Sequence, residues 1–129
     1  LPEARLGILP AAGGTQRLPR LIGKSAALEL LYTSRLLDAQ QSLALGLVNG
    51  VHSADSLLEE VRKLARGIAA QPPLSIRFIK SAVLTGMETD MDVGLDVERY
   101  AAAMLISTED RKEGMRAFVE KRAPVFRGR

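Results

Sequence analysis

The sequence predicts a mostly α-helical chain with little strand, on the strength of three observations. Apolar residues recur at helical spacing through most of the sequence after residue 55. Glycine and proline divide residues 1–52 into short segments, two of which begin with residues that can cap a helix. Only Leu47–Val51 resembles a strand. We therefore expect a compact first half, residues 1–52, and a helical second half, residues 53–129.

The composition is that of one globular domain, since 47% of the 129 residues are hydrophobic and 26% are charged. The longest apolar run, Tyr100–Ile106, is far shorter than the roughly 18 residues that span a bilayer. We therefore expect a soluble chain that has no membrane partner. The absence of cysteine excludes disulfides, thiolate metal ligands and a cysteine nucleophile.

Three helices are predicted in the first half. The first follows a loop and begins near Gly13, with Thr15 as its cap. The second is Lys24–Thr33, which is rich in alanine and leucine. Asp38 begins the third because a glutamine three residues later completes a capping box, and Gly46 ends it.

Four longer helices are predicted in the second half. The first begins at Ser56 and stops at the Gln71–Pro73 break, because proline disfavours helix in the residue before it. The second starts at that break and ends at Gly86, and the third is Asp90–Ser107. The fourth begins near Thr108, with Asp110 in the capping position and with Met115, Phe118 and Val119 facing inward.

The third of these long helices is apolar on nearly all sides over Tyr100–Ile106. Such a segment has to be covered all round. In so small a chain we expect another subunit to supply part of the cover.

Charge is unevenly distributed along the chain, whose total is +3. Residues 1–24 carry a net +3, residues 25–110 carry −5 and residues 111–129 carry +5. A local positive patch suits an anionic partner such as a nucleotide phosphate or a nucleic acid. With two tyrosines, three phenylalanines and no tryptophan, however, the chain is poor material for stacking bases, so nucleic acid is not the expected partner.

Several motifs are rejected on their spacing. Gly23-Lys24-Ser25 lacks the first glycine and the leading strand of a phosphate-binding loop. The acidic run from Asp90 has its glycine one position too early for a calcium loop, and the twelfth position is Ala101. The single histidine, His52, is interpreted as a surface turn residue. We expect no metal site.

Glu3 is the carboxylate that stands apart from any amphipathic helix. It lies between Pro2 and a glycine-rich loop, near the predicted start of the first helix. A plain surface glutamate is the commoner interpretation of such a position. A carboxyl in a cavity lined by small residues would instead be placed to move a proton.

Four segments resemble the enoyl-CoA hydratase/isomerase (crotonase) superfamily. Pro2–Leu18 (PEARLGILPAAGGTQRL) is similar to the signature segment of that family. Leu45–Asn49, Gln71–Pro73 and Asp110–Arg122 resemble its strand entry, its helix break and its C-terminal motif, in the same order. The resemblance therefore extends over nearly the whole chain.

The resemblance implies an α/β crotonase-like fold, a spiral of ββα units. Residues 1–52 would form the end of the spiral core, and residues 53–129 the helical domain through which subunits form trimers or hexamers. The chain would be the C-terminal half of the protein. Its start at Leu1, with a first methionine at Met87, also leads us to expect a piece of a longer or processed chain.

The resemblance also implies an activity: addition of water across the α,β double bond of a 2-enoyl-CoA thioester. Glu3 matches the second of two catalytic glutamates and would deliver a proton to the α-carbon. Phe118 and Lys121 match residues that contact the CoA nucleotide of a neighbouring subunit. No separate cofactor is implied, because coenzyme A is part of the substrate.

Ala11 departs from the family pattern, which commonly has a glycine there whose amide helps to hold the catalytic water. Alanine keeps that amide if its backbone angles are ordinary. The first catalytic glutamate and the oxyanion donors come in the family from segments upstream of the position that matches Leu1.

Isomerisation or other thioester chemistry, or a non-catalytic oligomerisation or RNA-binding module, remain as alternatives. The cytoplasm is the expected compartment, with the mitochondrial matrix as the alternative.

Overall fold

The computed structural model describes all 129 residues, which form one 3₁₀-helix and seven α-helices. No residue belongs to a β-strand. The chain divides into two compact units, Leu1–Leu58 and Glu59–Arg129. The roles of residues 1–52 as the end of a spiral core and of residues 53–129 as an oligomerisation domain stay predictions. The 3₁₀-helix is Glu3–Leu6, and the α-helices are α1 Gly14–Ile22, α2 Lys24–Thr33, α3 Ala39–Ala44, α4 Ala54–Ala69, α5 Pro73–Gly86, α6 Met91–Ile106 and α7 Glu109–Glu120.

The predicted second and third helices of the first unit are confirmed. Helix α2 has the predicted bounds. Helix α3 begins with the predicted capping box, in which Asp38 Oδ1 accepts from the Gln41 N–H at 2.7 Å and Gln41 Oε1 accepts from the Asp38 N–H at 3.0 Å.

The start of α1 is confirmed, but its cap is not Thr15. Gly13 is the cap, with φ 93°, and its carbonyl accepts from the N–H groups of Gln16 and Arg17. Thr15 lies inside the helix and makes no capping hydrogen bond. A left-handed backbone conformation favours glycine, and this requirement decides the position of the cap.

The predicted strand at Leu47–Val51 is wrong. Gly46 ends α3 with φ 74°, and the Leu47 N–H turns back to donate to the Ser42 carbonyl at 2.9 Å. Residues 47–49 form a bend rather than an extended ladder. A strand needs a neighbour to satisfy its backbone groups, and no second strand is present in this chain.

In the second unit, α5 and α6 pack closely against each other. Pro72 caps α5 and Pro73 opens it, as the proline break predicts. The backbones approach at two glycines, so that a Cβ built on Gly94 would lie 3.4 Å from the Gly86 Cα. Asp90 caps α6 by accepting from the Val93 N–H at 3.0 Å. The two helices therefore approach closely at these glycines, at a distance where an added methyl group would be in ordinary van der Waals contact.

Helix α7 differs from its prediction in two respects. Its cap is Thr108, whose hydroxyl accepts from the Arg111 N–H at 3.2 Å, and not Asp110. Its buried face carries Asp110 and Ala117, whereas the residues predicted to face inward are largely exposed. Apolar residues at helical spacing identify an apolar face of a helix but not what covers that face. The exposed fractions are 55% for Met115, 82% for Phe118 and 76% for Val119.

Few apolar side chains are buried within the chain. The buried hydrophobic residues are Ala27, Leu30 and Ala117. The chain exposes 10083 Å², whereas a compact monomer of this mass exposes about 6,700 Å². None of the helices has both the length and the apolar character that crossing a membrane requires.

Candidate functional site

Glu3 lies in the first turn of the 3₁₀-helix. The Glu3 carbonyl accepts from the Ile8 N–H at 3.1 Å, and Gly7, with φ 73°, closes the turn. The Arg5 guanidinium donates to the Thr33 carbonyl at 3.3 Å, which connects the turn to the end of α2. The backbone that carries Glu3 is thus held both locally and by a neighbouring helix.

The Glu3 carboxyl has one oxygen with no partner. Oε2 is buried and makes no hydrogen bond, although the residue as a whole is half-buried. A buried acceptor left without a donor costs about 1–3 kcal/mol. Such an atom is uncommon in a folded chain, and it is typical of a group that receives a ligand or takes part in chemistry.

Glu3 lines a cavity of about 310 Å³ at the N-terminus of α1. Two glycines shape that border of the cavity. Gly13 needs its positive φ of 93°, and a Cβ on Gly14 would lie 2.7 Å from the Pro10 Cβ, inside contact distance. The small residues that surrounded Glu3 in the sequence analysis therefore do form a cavity. Its lining is Leu1, Glu3, Pro10, Ala12, Gly13, Gly14, Arg17, Leu18, Leu21 and Leu47.

Ala11 is exposed and does not line this cavity, whereas its neighbour Ala12 does. The Ala11 backbone is not in the left-handed region. Its N–H makes no hydrogen bond within the chain. The Ala11 amide therefore has no partner within the chain.

A second, larger cavity of about 710 Å³ lies among the 3₁₀-helix, α1 and α2, and it does not include Glu3. Its lining is mainly apolar, with Leu9, Leu28 and Leu31 among the side chains and two cations, Arg20 and Lys24. No sequence pattern predicted this cavity. Helix α2 is rich in alanine and leucine, which indicates an apolar face but not a cavity beside it.

Phe118 and Lys121 lie three residues apart at the end of α7, on an exposed face. Lys121 is the residue just after the helix, with φ 53° and ψ 39°. The roles of Phe118 and Lys121 stay predictions. Glu3 and Ala11 belong to the other compact unit.

Two carboxylates of α7 hold the C-terminal segment: Asp110, which the sequence predicted only as a helix cap, and Glu113, to which no role was assigned. The two oxygens of Asp110, a residue only 3% exposed, accept from the backbone N–H groups of Arg127 and Gly128, both at 2.7 Å. Glu113 binds Arg122 through both of its oxygens, at 2.6 and 2.9 Å. Hydrogen bonds from Arg122 and then from the backbone of Val125 lower the pKa of Glu113 from 4.5 to about 2.

No three histidine, cysteine, aspartate or glutamate side chains converge in a way that could hold a metal ion. Asp90 instead caps α6, and His52 is exposed beside Gly50. The chemistry available within the chain is thus that of a carboxyl in a cavity and of an exposed cation and an exposed ring at the end of α7.

Several known proteins similar to this chain are named as hydratases of CoA thioesters. Residues 1–129 match the enoyl-CoA hydratase/isomerase family. The chain is 46% identical over 125 residues to the crotonyl-CoA hydratase of Syntrophomonas wolfei, an alignment that covers 97% of the chain and 48% of that protein. It is 43% identical over 129 residues to the 2,3-dehydroadipyl-CoA hydratase of Escherichia coli, covering 100% of the chain and 51% of that protein.

The crystal structure of enoyl-CoA hydratase from Bacillus anthracis superposes with a TM-score of 0.92 at 44% identity, covering 98% of this chain and 49% of that one. The chain spans about half the length of each of these relatives. The predicted crotonase-like fold class is confirmed by this likeness, although the part present here is helical without strand. The chain belongs to the enoyl-CoA hydratase/isomerase family, and so to the crotonase superfamily.

Proposed function

We propose that this chain is the C-terminal half of an enoyl-CoA hydratase, a lyase of fatty acid metabolism that adds water to a 2-enoyl-CoA thioester. The observation that carries the proposal is the Glu3 carboxyl, whose Oε2 is buried without a hydrogen-bond partner beside the cavity at the start of α1. The names of the related hydratases support the reaction and the class of substrate.

Hydration breaks an O–H bond of water and the C=C π bond, and it forms a C–O bond at the β-carbon and a C–H bond at the α-carbon. One carboxylate takes the proton of the attacking water, and one carboxylic acid supplies the proton to the α-carbon. Glu3 is assigned the second role. The other carboxylate and the two N–H donors that stabilise the enolate oxygen come from the remainder of the protein.

The loop before α1 offers a donor for the water that takes part in this chemistry. The N–H groups of Gly14, Gln16 and Arg17 already donate to the carbonyls of Pro10 and Gly13, whereas the amide of Ala11, next to the cavity residue Ala12, makes no hydrogen bond within the chain. Such a donor can orient a water molecule whose oxygen attacks the substrate. We therefore assign Ala11 a role through its amide and not through its methyl group.

The far end of the substrate is assigned to Phe118 and Lys121. The exposed ring can stack on a base, and the ammonium can meet a phosphate group, in a terminal segment that carries a net +5 over residues 111–129. Coenzyme A is then part of the substrate, and no further cofactor is proposed.

A trimer, or a hexamer made of two trimers, is the proposed assembly. Its support is the uncovered apolar surface of α6, where Tyr100 is 74% exposed, Met104 63% and Ile106 61%. The cytoplasm is the proposed compartment because both curated relatives described above are bacterial, and the mitochondrial matrix is the alternative.

The test uses the full-length protein with crotonyl-CoA and with a medium-chain 2-enoyl-CoA in heavy-oxygen water. We expect loss of the conjugated thioester and a heavy oxygen atom in the 3-hydroxyacyl product. Conversion of a 3-enoyl-CoA to the 2-enoyl-CoA without incorporation of oxygen would instead identify an isomerase. A protein that acts on none of these thioesters would overturn the proposal.

The non-catalytic alternative predicts RNA binding through the basic terminal segment, and such binding must weaken steeply as salt rises. The structure offers that alternative little support. Two of the arginines in this segment are already paired, Arg122 with Glu113 and Glu120, and Arg129 with Glu109.

A further inference from the structure

The end of α7 has a lysine where glycine is the usual residue. The Lys121 N–H donates to the Phe118 carbonyl at 3.3 Å and the Arg122 N–H to the Ala117 carbonyl at 3.1 Å, the two hydrogen bonds of a Schellman motif. Lys121 therefore takes the left-handed conformation, in which its Cβ crowds the backbone. Helix α3 ends with the same pair of hydrogen bonds, but there the left-handed residue is Gly46.

The residue that follows Lys121 is fixed by its side chain as well as by its backbone. Arg122 Nη1 and Nη2 lie 2.6 and 2.9 Å from the two oxygens of Glu113, and Arg122 Nε lies 2.6 Å from Glu120 Oε2. Glu113 Oε1 also accepts from the Val125 N–H at 3.0 Å. A guanidinium that binds a carboxylate through two nitrogens has its orientation defined as well as its distance.

Glu113 stays ionised over the ordinary pH range, since its pKa is lowered to about 2 mainly by hydrogen bonds from Arg122. The ion pair with Arg122 therefore keeps both of its charges at neutral pH. It holds the chain directly after the left-handed residue, where a loose segment would allow Lys121 to relax to an ordinary conformation.

The Lys121 side chain is free, although its backbone is held. It is exposed and takes part in none of the six ion pairs of the chain. Strain that persists in a folded chain is typical of residues kept in place for a function. We propose that Glu113, through its ion pair with Arg122, is a positioning residue that holds the Lys121 ammonium where it meets a phosphate group of the CoA nucleotide.

This inference rests on the proposed function, in which Lys121 contacts CoA. The nucleotide phosphates are remote from the reacting carbon atoms and are bound equally in the ground state and the transition state. Losing such uniform binding raises KM and leaves kcat unchanged. A backbone held in advance also lowers the entropy that is lost when the phosphate is bound.

The experiment compares crotonyl-CoA with crotonyl-pantetheine, which has the same reacting thioester but no nucleotide. In the full-length protein, Glu113→Gln is expected to raise KM for crotonyl-CoA by about twofold to fivefold, the upper part of the range for an exposed ion pair. Its kcat and both constants for crotonyl-pantetheine should equal those of the wild type. The matched control is Glu109→Gln, at a residue on the same helix as Glu113. This change removes the exposed ion pair between Glu109 and Arg129 and should leave both KM values unchanged.

A double-mutant cycle shows whether Glu113 acts through Lys121. On a Lys121→Gln background, adding Glu113→Gln should produce no further rise in KM. Additive effects, a parallel fall in kcat, or an equal loss with both substrates would overturn the proposal. If Glu113→Gln fails to fold, Arg122→Lys makes the same test, because it keeps the charge and removes the two-nitrogen contact.

Failure of the proposed function gives a different result, namely a wild-type protein that hydrates neither thioester. Calorimetric titration with CoA then makes the same comparison between wild type and Glu113→Gln without turnover. Weaker CoA binding by the variant would support the positioning role, and equal binding would overturn it.

Discussion

Two carboxylates of this chain are opposites in their hydrogen bonding. Glu3 has a buried oxygen with no donor, beside a cavity in the first unit. Glu113 in the second unit has both oxygens occupied, by the guanidinium of Arg122 and the backbone of Val125. A carboxylate whose oxygens both accept hydrogen bonds contributes to the stability of the fold. A buried carboxylate oxygen without a donor costs stability and is available for a ligand or a proton.

The largest expected effect is a loss of activity without a loss of stability when Glu3 is changed. The change Glu3→Gln should lower kcat/KM for crotonyl-CoA by about 10² to 10⁴, the range for loss of a general acid or base. The melting temperature should not fall, because no hydrogen bond of the carboxyl is lost. The matched control is Glu29→Gln, in the same unit, which removes an exposed pair with Arg35 and should keep full activity. Full activity of Glu3→Gln would contradict the assignment of Glu3.

The opposite pattern is expected at Asp110, whose two oxygens are as occupied as those of Glu113. Asp110→Asn loses charge-assisted hydrogen bonds to the backbone of Arg127 and Gly128. It should lower the free energy of unfolding by about 2–3 kcal/mol, measured by urea denaturation. Amide exchange at these two residues should accelerate while kcat stays constant. A variant as stable as the wild type would show that Asp110 does not hold the segment.

A smaller effect tests the walls of the Glu3 cavity. A methyl group at Gly14 would lie 2.7 Å from the Pro10 Cβ, so Gly14→Ala should destabilise by about 1–2 kcal/mol through overpacking. The control is Gly67→Ala in the exposed helix α4, where nothing lies within 4 Å of the new atom. That change should stabilise by about 0.5–1 kcal/mol, since alanine favours helix. Equal urea midpoints for the two variants would contradict the close approach.

The smallest effect at neutral pH concerns the titration of Glu113. Its pKa is lower in the folded chain, about 2 against 4.5, so its contribution to stability is complete above pH 4.5 and is lost as the pH falls toward 2. Wild type should therefore lose more stability than Glu113→Gln over that interval. Urea midpoints measured at several pH values check the difference. Identical slopes for the two proteins would show that the Arg122 contact is not retained in solution.

Much of the helical framework could be predicted because its signals are local. The capping box at Asp38 and the prolines at 72 and 73 specify helix ends through the backbone itself, and both predictions are confirmed. The strand at Leu47–Val51 failed because strand formation depends on a neighbour that no local pattern contains. Sequence spacing also assigned Met115 to the interior, since an apolar face does not reveal what covers it.

In the candidate site, too, local features could be predicted and contacts between distant residues could not. The glycine-rich border of the cavity beside Glu3 could be anticipated from residues 13 and 14, because the positive φ of Gly13 and the contact of Gly14 with Pro10 both arise within one short segment. The contacts of Asp110 and Glu113 could not, because they join residues 9 to 18 positions apart through a chain reversal. Charge spacing on α7 suggested a cap at Asp110, and only the tertiary fold shows that its partners are backbone N–H groups.

The exposure of α4 has a practical consequence. This helix has 16 residues, none of them buried, and most of the stability of a helix in a protein comes from packing of its apolar face. Its amide hydrogens should therefore exchange quickly unless another surface covers the apolar stripe from Leu57 to Ile68. Exchange protection of α4 is thus a built-in gauge of assembly, readable in solution without a label and without substrate.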